Sequence, residues 1–305
     1  MSMANGRRRR PTRRRPAARL GAGVLALMLP MSGPALGAEQ GTTAFAGASR
    51  GPQRVVSLNL CTDQLAVQLL DRERIASVSA LADDPTYSAV VEEVQDLPQN
   101  YGRAEEVLRH RPDLVMASAF GKRSTVRLLR RLDIPVLQIG PPRSLTDVRR
   151  QIRRVARALG VPQRGRALIE RLDARLAAAK PPVDQRGRVT AAVYEPNGVT
   201  VGRNELPHAA VTAAGLSNLA AKLGLTGLVP LPLERLVVAR PDVLILQTEQ
   251  TPAPSQATAL LEHPALRRLA RESVVIRIPR RLWTCAGPQV ADAVRRLARA
   301  RREAR

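Results

Sequence analysis

The sequence has few of the residues that most often carry enzymatic chemistry or bind metal ions. Its 305 residues include two Cys, three His and six aromatic residues. The histidines, His110, His208 and His263, are scattered, without the i,i+4 pairing or carboxylate cluster typical of a metal site. No GxSxG, HExxH, Walker or GxGxxG motif occurs. We therefore predict that the protein is not an enzyme, and we expect no cofactor and no metal held by protein ligands.

Acidic residues are scarce as well, 26 against 49 Lys and Arg, which gives a formal net charge of +23. Eight of those Arg lie in the first 38 residues, which contain no acid and include an apolar stretch at 20–29 followed by the small residues PALGA. This order is typical of a secretory signal peptide, cut near Gly37 or Ala38. The apolar stretch is too short for a lasting membrane anchor, and no Cys follows it to accept a lipid. We predict a signal peptide at 1–38 and a flexible linker at 39–52.

The remaining positive charge does not form a nucleic-acid-binding pattern. Loss of residues 1–38 lowers the net charge from +23 to +15. Most of the other Arg residues alternate with Leu, Val and Ala at helical spacing, as in DVRRQIRRVARALG, which indicates solvent-exposed helix faces. We expect no nucleic-acid partner.

The two cysteines, Cys61 and Cys285, are 224 residues apart in a chain that we expect to reach an oxidising compartment. Spacing alone does not decide whether they form a disulfide, which requires Cα atoms within about 7 Å. Cys61 also stands at a predicted helix start, where the pKa of a thiol falls. A Cys-dependent enzyme with His208 as its base stays an alternative, without a local pattern to support it.

From residue 54 onward, predicted strands alternate with predicted helices. RVVSLNL indicates a strand, CTDQLAVQLLD a helix and RIASVSAL a second strand, and a second alternation begins at RVTAAVYEP. Such alternation predicts an α/β fold with parallel sheets. Residues 144–180 are helical in pattern, with one interruption at GVP. We predict two Rossmann-like lobes at 53–142 and 183–305, joined by a helical connector at 143–182 that acts as a rigid spacer, with a ligand cleft between the lobes.

An internal repeat relates the two predicted lobes. AEEVLRHRPDLVMAS at 104–118 matches LERLVVARPDVLILQ at 233–247, with an acid, Arg-Pro-Asp and the apolar positions in register. Glu105 and Glu234 each stand seven residues before the proline. An acid in the first turn of a helix is favoured by the helix dipole, and a surface-recognition role is the alternative reading.

Most of the aromatic residues fall on predicted loops. In an open parallel sheet, ligands bind at the carboxyl ends of the strands, where such loops lie. The set therefore predicts a cleft wall with stacking surface and a few polar groups. The aromatic members of the set are Tyr87, Tyr101, Phe120, Tyr194 and Trp283, and Asn197 is a polar member on the same kind of loop.

These segments carry a family resemblance. RVVSLNLCTDQL, the two repeated Glu motifs, the helical connector and LWTCAGP resemble the substrate-binding proteins of ABC importers. The similar group has two lobes bridged by a long helix and captures iron-siderophores or cobalamin in the periplasm. The resemblance covers residues 52–302. It implies a periplasmic monomer that captures a bulky metal chelate and delivers it to a permease dimer with ATPase subunits.

The resemblance also implies roles for individual residues. In this family one acid on each lobe docks on Arg residues of the permease, and the matching positions are Glu105 and Glu234. The cobalamin-binding pattern has Trp where this chain has Ser118 and Leu228, and we expect Arg103 and Arg203 to offer positive charge to an anionic chelate. A binder of haem or of a free metal ion is the alternative. The predicted ligand residues are Cys61, Thr62, Tyr87, Tyr101, Arg103, Ser118, Phe120, Tyr194, Asn197, Arg203, Trp283, Thr284 and Cys285.

Overall fold

The computed structural model describes residues 51–180, 189–248 and 260–304. The predicted signal peptide, and all but the last two residues of the predicted linker, lie outside these ranges. Within them, no helix is both long enough and apolar enough to cross a membrane. The described chain forms parallel sheets covered by helices, which confirms the predicted α/β class.

Lobe 1 is built on a five-stranded parallel sheet in the order β3-β2-β1-β4-β5. Its strands are β1 (Val55–Ser57), β2 (Ile75–Ser79), β3 (Gln99–Asn100), β4 (Leu114–Ser118) and β5 (Val136–Ile139). Its helices are α1 (Leu60–Leu69), α2 (Val91–Val94), α3 (Ala104–Arg109) and α4 (Arg123–Arg131), with a 3-10 turn at Arg72–Arg74. Because β1 is the central strand, the residues that follow it stand in the middle of the carboxyl edge of the sheet.

The connection between the lobes consists of two helices, α5 (Leu145–Ala158) and α6 (Pro162–Ala179), which pack against each other. The predicted interruption is present, with Gly160 at a φ of 72° and a proline in the first turn of α6. Gly165 allows the close approach, since a Cβ at this position would lie 2.4 Å from the Cβ of Ala156. The connection is therefore a pair of packed helices with the predicted break between them.

Helix α6 is fastened to both lobes by ion pairs near its two ends. Arg164 donates two hydrogen bonds, of 2.7 and 2.9 Å, to the carboxylate of Asp71 in lobe 1. Arg175 donates two, of 3.0 and 2.9 Å, to Asp292 in lobe 2. The 18 residues of α6 extend over roughly 27 Å at 1.5 Å per residue.

Lobe 2 contains a four-stranded parallel sheet in the order β11-β10-β6-β8 and an antiparallel pair, β7 with β9. Its strands are β6 (Thr190–Tyr194), β7 (Val199–Val201), β8 (Ser217–Asn218), β9 (Leu228–Pro230), β10 (Val243–Thr248) and β11 (Val274–Pro279). Its helices are α7 (Leu206–Ala213), α8 (Leu219–Lys222), α9 (Leu233–Ala239), α10 (Pro264–Glu272) and α11 (Val290–Glu303). Its 3-10 turns are Pro196–Gly198, Leu260–Glu262 and Arg280–Leu282.

One hydrophobic core runs through both lobes and the connecting helices. Leu65 of α1, Ile152 of α5, Leu172 of α6 and Val294 of α11 belong to it, and all four are fully buried. The outer face of each sheet has a separate, smaller cluster. Apolar burial is the main favourable contribution to folding. Because the two lobes share this burial, they are not independent units joined only by the connecting helices.

The sequence repeat has a structural counterpart in two aspartates. Asp113 precedes β4, and its carboxylate accepts the backbone N–H groups of Gln53 and Arg54, just before β1. Asp242 precedes β10 and accepts the N–H of Thr190 at the start of β6. In each lobe the strand that follows the Pro-Asp turn is paired with the strand whose start the aspartate holds. The aspartates of the repeat are therefore structural.

These observations do not test the predicted lobe boundaries. The division at residues 142 and 143 falls between β5 and α5. The division at residues 182 and 183 lies outside the described residues, as does the stretch between β10 and the turn at Leu260–Glu262. The boundaries stay predictions.

Candidate functional site

A cavity of about 300 Å³ lies at the carboxyl edge of the lobe 1 sheet. Loops that follow β1, β2, β3 and β4 form its walls, as expected for an open parallel sheet. Its described lining residues all belong to lobe 1. They are Leu58, Asn59, Ser79, Ala80, Leu81, Asn100, Tyr101, Ala117, Ser118, Phe120, Gly121 and Lys122.

Three large apolar side chains are exposed around this cavity. Tyr101 is 67% exposed, Phe120 is 61% exposed and Leu81 is 50% exposed. They follow β3, β4 and β2, respectively, so that the sheet brings together residues up to 39 positions apart. Exposed apolar side chains that surround one concavity are typical of a binding surface.

Two asparagines hold the loops of the cavity in place. The Nδ2 of Asn100 donates to the carbonyl oxygens of Ser57 (2.9 Å) and Val78 (3.0 Å), while its Oδ1 accepts the N–H of Gly102 at 3.0 Å. The Oδ1 of Asn59 accepts the N–H of Cys61 at 3.1 Å and caps α1. These side chains join three strand ends, because asparagine can donate and accept at once. Neither asparagine was among the residues predicted from the sequence. For Asn59 the available signal is its position just before a helical pattern.

Lys122 is the charged residue among the described lining groups, and the sequence interpretation did not include it. Its Nζ donates to the carbonyl oxygen of Tyr101 at 2.5 Å. Its side chain lies across Gly102, where a Cβ would come within 2.8 Å of the lysine Cε. The glycine therefore leaves room for a cation at the rim of the cavity.

Three of the predicted ligand residues come together here, namely Tyr101, Ser118 and Phe120. The interpretation of Tyr194 and Trp283 as stacking surfaces is corrected, since they are 0% and 1% exposed and belong to hydrophobic clusters. Burial, and secondarily the carboxylate of Glu234, raises the pKa of Tyr194. Tyr194 is the last residue of β6 and Trp283 directly follows the turn Arg280–Leu282, and both rings pack into the core, so a predicted loop position did not imply an exposed ring.

Cys61 and Cys285 form a disulfide between the two lobes, with their Cα atoms 5.0 Å apart. The sequence left this pairing open. Cys285 is fully buried and Cys61 is half-buried. Thr62 is buried, and its hydroxyl donates to the carbonyl oxygen of Asn59 at 2.7 Å, so it does not face a ligand. Thr284 is exposed, and its hydroxyl donates to the carbonyl oxygen of Arg280.

The remaining predicted ligand residues do not line the cavity. Arg103 is exposed at the start of α3, and its N–H donates to Glu106. Asn197 is exposed in the turn after β6. Arg203 is exposed in lobe 2, and its guanidinium donates to the carbonyl oxygen of Ala221. The half-buried Tyr87 lies in the loop that follows β2.

Two arginines of lobe 2 lie at the carboxyl end of β11. Neither was among the residues predicted from the sequence. Arg280 pairs with the buried Glu195 at 3.7 Å, at the carboxyl end of β6. Arg281 donates to the carbonyl oxygen of Pro85 in lobe 1 at 3.0 Å. The carboxyl edge of lobe 2 therefore contacts the loop after β2 through Arg281, while the charge of Arg280 is offset by Glu195.

The acids of the sequence repeat occupy equivalent positions. Glu105 is the second residue of α3 and Glu234 the second residue of α9, and both are exposed. Each helix leads into a Pro-Asp turn and a buried strand, β4 or β10. The protein thus presents one accessible carboxylate at the same place in each lobe.

Among the residues that the structure describes, no Cys and His side chains form a catalytic pair. Cys61 has no free thiol, and the ring Nδ1 of His208 lies 3.1 Å from the Nδ2 of Asn218. Burial, with Arg203 as the second cause, lowers the pKa of His208. In the described ranges, no group of three or more His, Cys, Asp or Glu side chains is arranged to hold a metal ion.

A family model described as periplasmic binding protein matches residues 55–280. The chain belongs to the periplasmic binding protein family. Its family and fold are those of solute-binding proteins. A cobalamin-binding protein of Halobacterium salinarum is 31% identical over 216 residues, which are 69% of this chain and 58% of that relative. This periplasmic binding protein therefore matches less than two thirds of the relative's length.

Two solved structures have folds similar to that of this chain. The periplasmic heme-binding protein RhuT from Roseiflexus sp. RS-1 has 29% sequence identity and a TM-score of 0.65, and the match covers 83% of this chain and 99% of that one. An ABC-type Fe3+-hydroxamate transport system protein from Saccharomonospora viridis has 21% identity and a TM-score of 0.61, over 82% and 93% of the two chains. The second likeness is evidence of the fold alone.

One carboxyl group of this periplasmic binding protein is buried beneath the cavity. Asp63 of α1 is 0% exposed, and it accepts hydrogen bonds from the hydroxyl and the N–H of Ser79, a lining residue. Burial raises the pKa of Asp63 to about 7, although the hydrogen bonds from Ser57 and Ser79 oppose the shift. The group changes charge near neutral pH without leaving the core.

Asp63 should make stability depend on pH. The unfolded carboxyl titrates near pH 3.9, so between about pH 4 and pH 7 the folded state holds a proton that the unfolded state has lost. The free energy of unfolding should therefore fall as the pH rises, by at most about 1.4 kcal/mol per pH unit from this group. Asp63→Asn should remove this component and be more stable than the wild type at pH 8, as measured by urea unfolding at pH 5 and pH 8.

Asp96→Asn is the matched control, because the Asp96 side chain is 90% exposed. It should leave the pH dependence of unfolding unchanged. An Asp63→Asn protein with the same pH dependence as the wild type would show that the Asp63 carboxyl is not shifted in the folded state.

Proposed function

We propose that the protein is the solute-binding component of an ABC importer, which captures a bulky metal chelate in the periplasm and delivers it to a membrane permease. The family and the fold support the solute-binding part. The cobalamin-binding and heme-binding relatives are named for ligands that are bulky metal chelates. The proposal also includes export by the N-terminal signal peptide predicted at 1–38.

The exposed aromatic rim of the lobe 1 cavity is the observation that carries this proposal. Tyr101 and Phe120 have most of their surface exposed, although the chain has six aromatic residues in all. Aromatic rings beside a concavity offer flat apolar area to a macrocycle or to the organic arms of a siderophore. A cavity of about 300 Å³ in one lobe receives a part of such a ligand, and the rest would lie toward lobe 2.

The described lining of the cavity offers stacking and polar contacts to the organic part of a chelate. Among the described residues, no group of three or more His, Cys, Asp or Glu side chains is arranged to hold a bare metal ion. Lys122 places positive charge at the rim of the cavity. This charge favours an anionic chelate.

Removal of either rim ring should weaken binding. Tyr101→Ala and Phe120→Ala should each lower the affinity for the bound chelate about tenfold, or ~1.4 kcal/mol, because each loses a stacking surface. Calorimetric titration of the purified protein with haem, cobalamin and a ferric hydroxamate would identify the chelate and measure both variants.

Leu128→Ala and Leu132→Ala are the matched controls. These leucines are 41% and 49% exposed, on α4 and directly after it, and they do not line the cavity. They should leave the affinity unchanged. A wild-type protein that binds none of the three chelates contradicts the chelate class, and equal losses in all four variants contradict the role of the rim.

We further propose that Glu105 and Glu234 dock the protein on the permease. One exposed acid at the equivalent helix position of each lobe suits a partner with two related halves. Surface charges of this kind orient a complex and accelerate encounter more than they add affinity. The two acids lie outside the cavity lining, so docking and ligand capture use different residues.

The double variant Glu105→Ala with Glu234→Ala should abolish uptake of the chelate by cells and leave its affinity for the purified protein unchanged. The physical reason is the loss of both permease contacts with the cavity intact. Cellular uptake of labelled chelate and calorimetry measure the two quantities.

The control removes one exposed acid per lobe elsewhere, with Glu92→Ala and Glu272→Ala. Uptake should be normal in that variant. Loss of chelate affinity in the Glu105 and Glu234 double variant, or an uptake defect as large in the control, would contradict the docking assignment.

A further inference from the structure

The disulfide between Cys61 and Cys285 is the second covalent link between the lobes. In the part of the chain that the structure describes, the backbone passes from lobe 1 to lobe 2 once, through α5 and α6. Cys61 is the second residue of α1, in the middle of the carboxyl edge of lobe 1, and Cys285 follows the turn after β11. Two bodies joined through one connector can turn about it, and a second link removes most of that freedom.

Beside this bond, the described polar contacts across the junction are single hydrogen bonds, and the shared apolar core packs behind them. The Nε2 of Gln289 donates to the Oε1 of Gln64 across the junction at 3.0 Å. Arg281 reaches the carbonyl oxygen of Pro85 at 3.0 Å. Individual hydrogen bonds contribute little net free energy, since water replaces them when they open. The disulfide is therefore the covalent restraint at this junction, added to the apolar core that the lobes share.

The segment around Cys285 is packed tightly against its neighbours. Cys285 is fully buried and Trp283 is 1% exposed. A Cβ on Gly287 would come within 2.1 Å of the Oε1 of Gln289. The Gln289 side chain therefore packs directly against the backbone of Gly287. A change in the angle between the lobes would have to unpack this segment, because close-packed interiors do not deform continuously.

We propose that the Cys61–Cys285 disulfide is a redox-sensitive restraint that sets the angle between the two lobes and thereby keeps the ligand site competent. In the oxidised protein the edges of the two lobes face each other at a fixed distance. In the reduced protein the lobes turn about α6, the segment 283–289 loosens and chelate binding weakens. The effect on the chelate rests on the proposed function, whereas the effect on the lobe angle does not.

The redox step is an ordinary thiol–disulfide exchange with a dithiol. A thiolate of dithiothreitol attacks the half-buried Cys61 Sγ, which is the more accessible of the two sulfurs, and Cys285 leaves as a thiolate. The second thiol of the reductant then closes its own ring and releases Cys61. Two electrons and two protons pass from the dithiol to the protein, which gains two thiols.

The test compares the oxidised protein, the dithiothreitol-reduced protein and the double variant Cys61→Ser with Cys285→Ser. Trp283 is the one Trp of the chain and stands two residues from Cys285, so its emission reports on the junction. Reduction should shift that emission to longer wavelength and accelerate hydrogen exchange in 80–88 and 280–289 by about tenfold or more, while β1 and β10 keep their protection. Haem or cobalamin affinity should fall about tenfold or more.

The double variant should behave like the reduced protein and should not respond to dithiothreitol, because the chain has two cysteines and both are replaced. Unchanged emission and unchanged exchange on reduction would overturn the proposal, whatever the ligand result. Loss of protection in every strand would also overturn it, since the bond would then hold the fold and not the angle. If the oxidised protein binds no chelate, the proposed function is wrong, and the exchange data still decide the role of the bond.

Discussion

The relative placement of two α/β lobes is the constraint on which this structure depends, and contacts of different kinds enforce it. A shared apolar core extends from α1 through α5 and α6 to α11. Ion pairs from Arg164 and Arg175 fasten α6 to the two lobes, and the Cys61–Cys285 disulfide closes the opposite side of the junction. Close packing of this core opposes a change in the angle between the lobes, because a packed interior does not deform continuously. The directional and covalent contacts add to that restraint.

The lobe 1 cavity illustrates how a rigid sheet makes a binding surface out of short loops. Asn59 and Asn100 turn the chain at strand ends and satisfy backbone groups that the sheet leaves unpaired. With those groups satisfied inside the protein, the rings of Tyr101 and Phe120 can face outward. Asp63 adds a cost, because a carboxyl beneath the cavity floor is tolerated in its charged form only through the hydrogen bonds from serine. The hydrogen-bonded polar groups beneath the cavity floor thus support the exposed apolar side chains above it.

The alternation of apolar runs and helical patterns was enough to predict the α/β class, the main strands of both lobes and the break between α5 and α6. These features follow from local periodicity and from glycine and proline. The short elements β3, β8 and β9 were beyond that reach, since two or three residues carry no periodicity. The aromatic residues were read with less success. Trp283 and Tyr194 are in predicted loops as Phe120 is, but their rings are buried, and burial depends on what the rest of the chain places above them.

The sequence by itself determined the class of fold, the repeat that places Glu105 and Glu234, and the family resemblance, because each of these is written in the order and spacing of residues. Only the tertiary structure decided which residues meet. Cys61 and Cys285, 224 positions apart, form a disulfide. Tyr101, Phe120 and Lys122 line one cavity. Trp283 is buried in the core. Contacts between residues far apart in sequence depend on how sheets and helices pack, and one chain read alone holds no local signal for that packing.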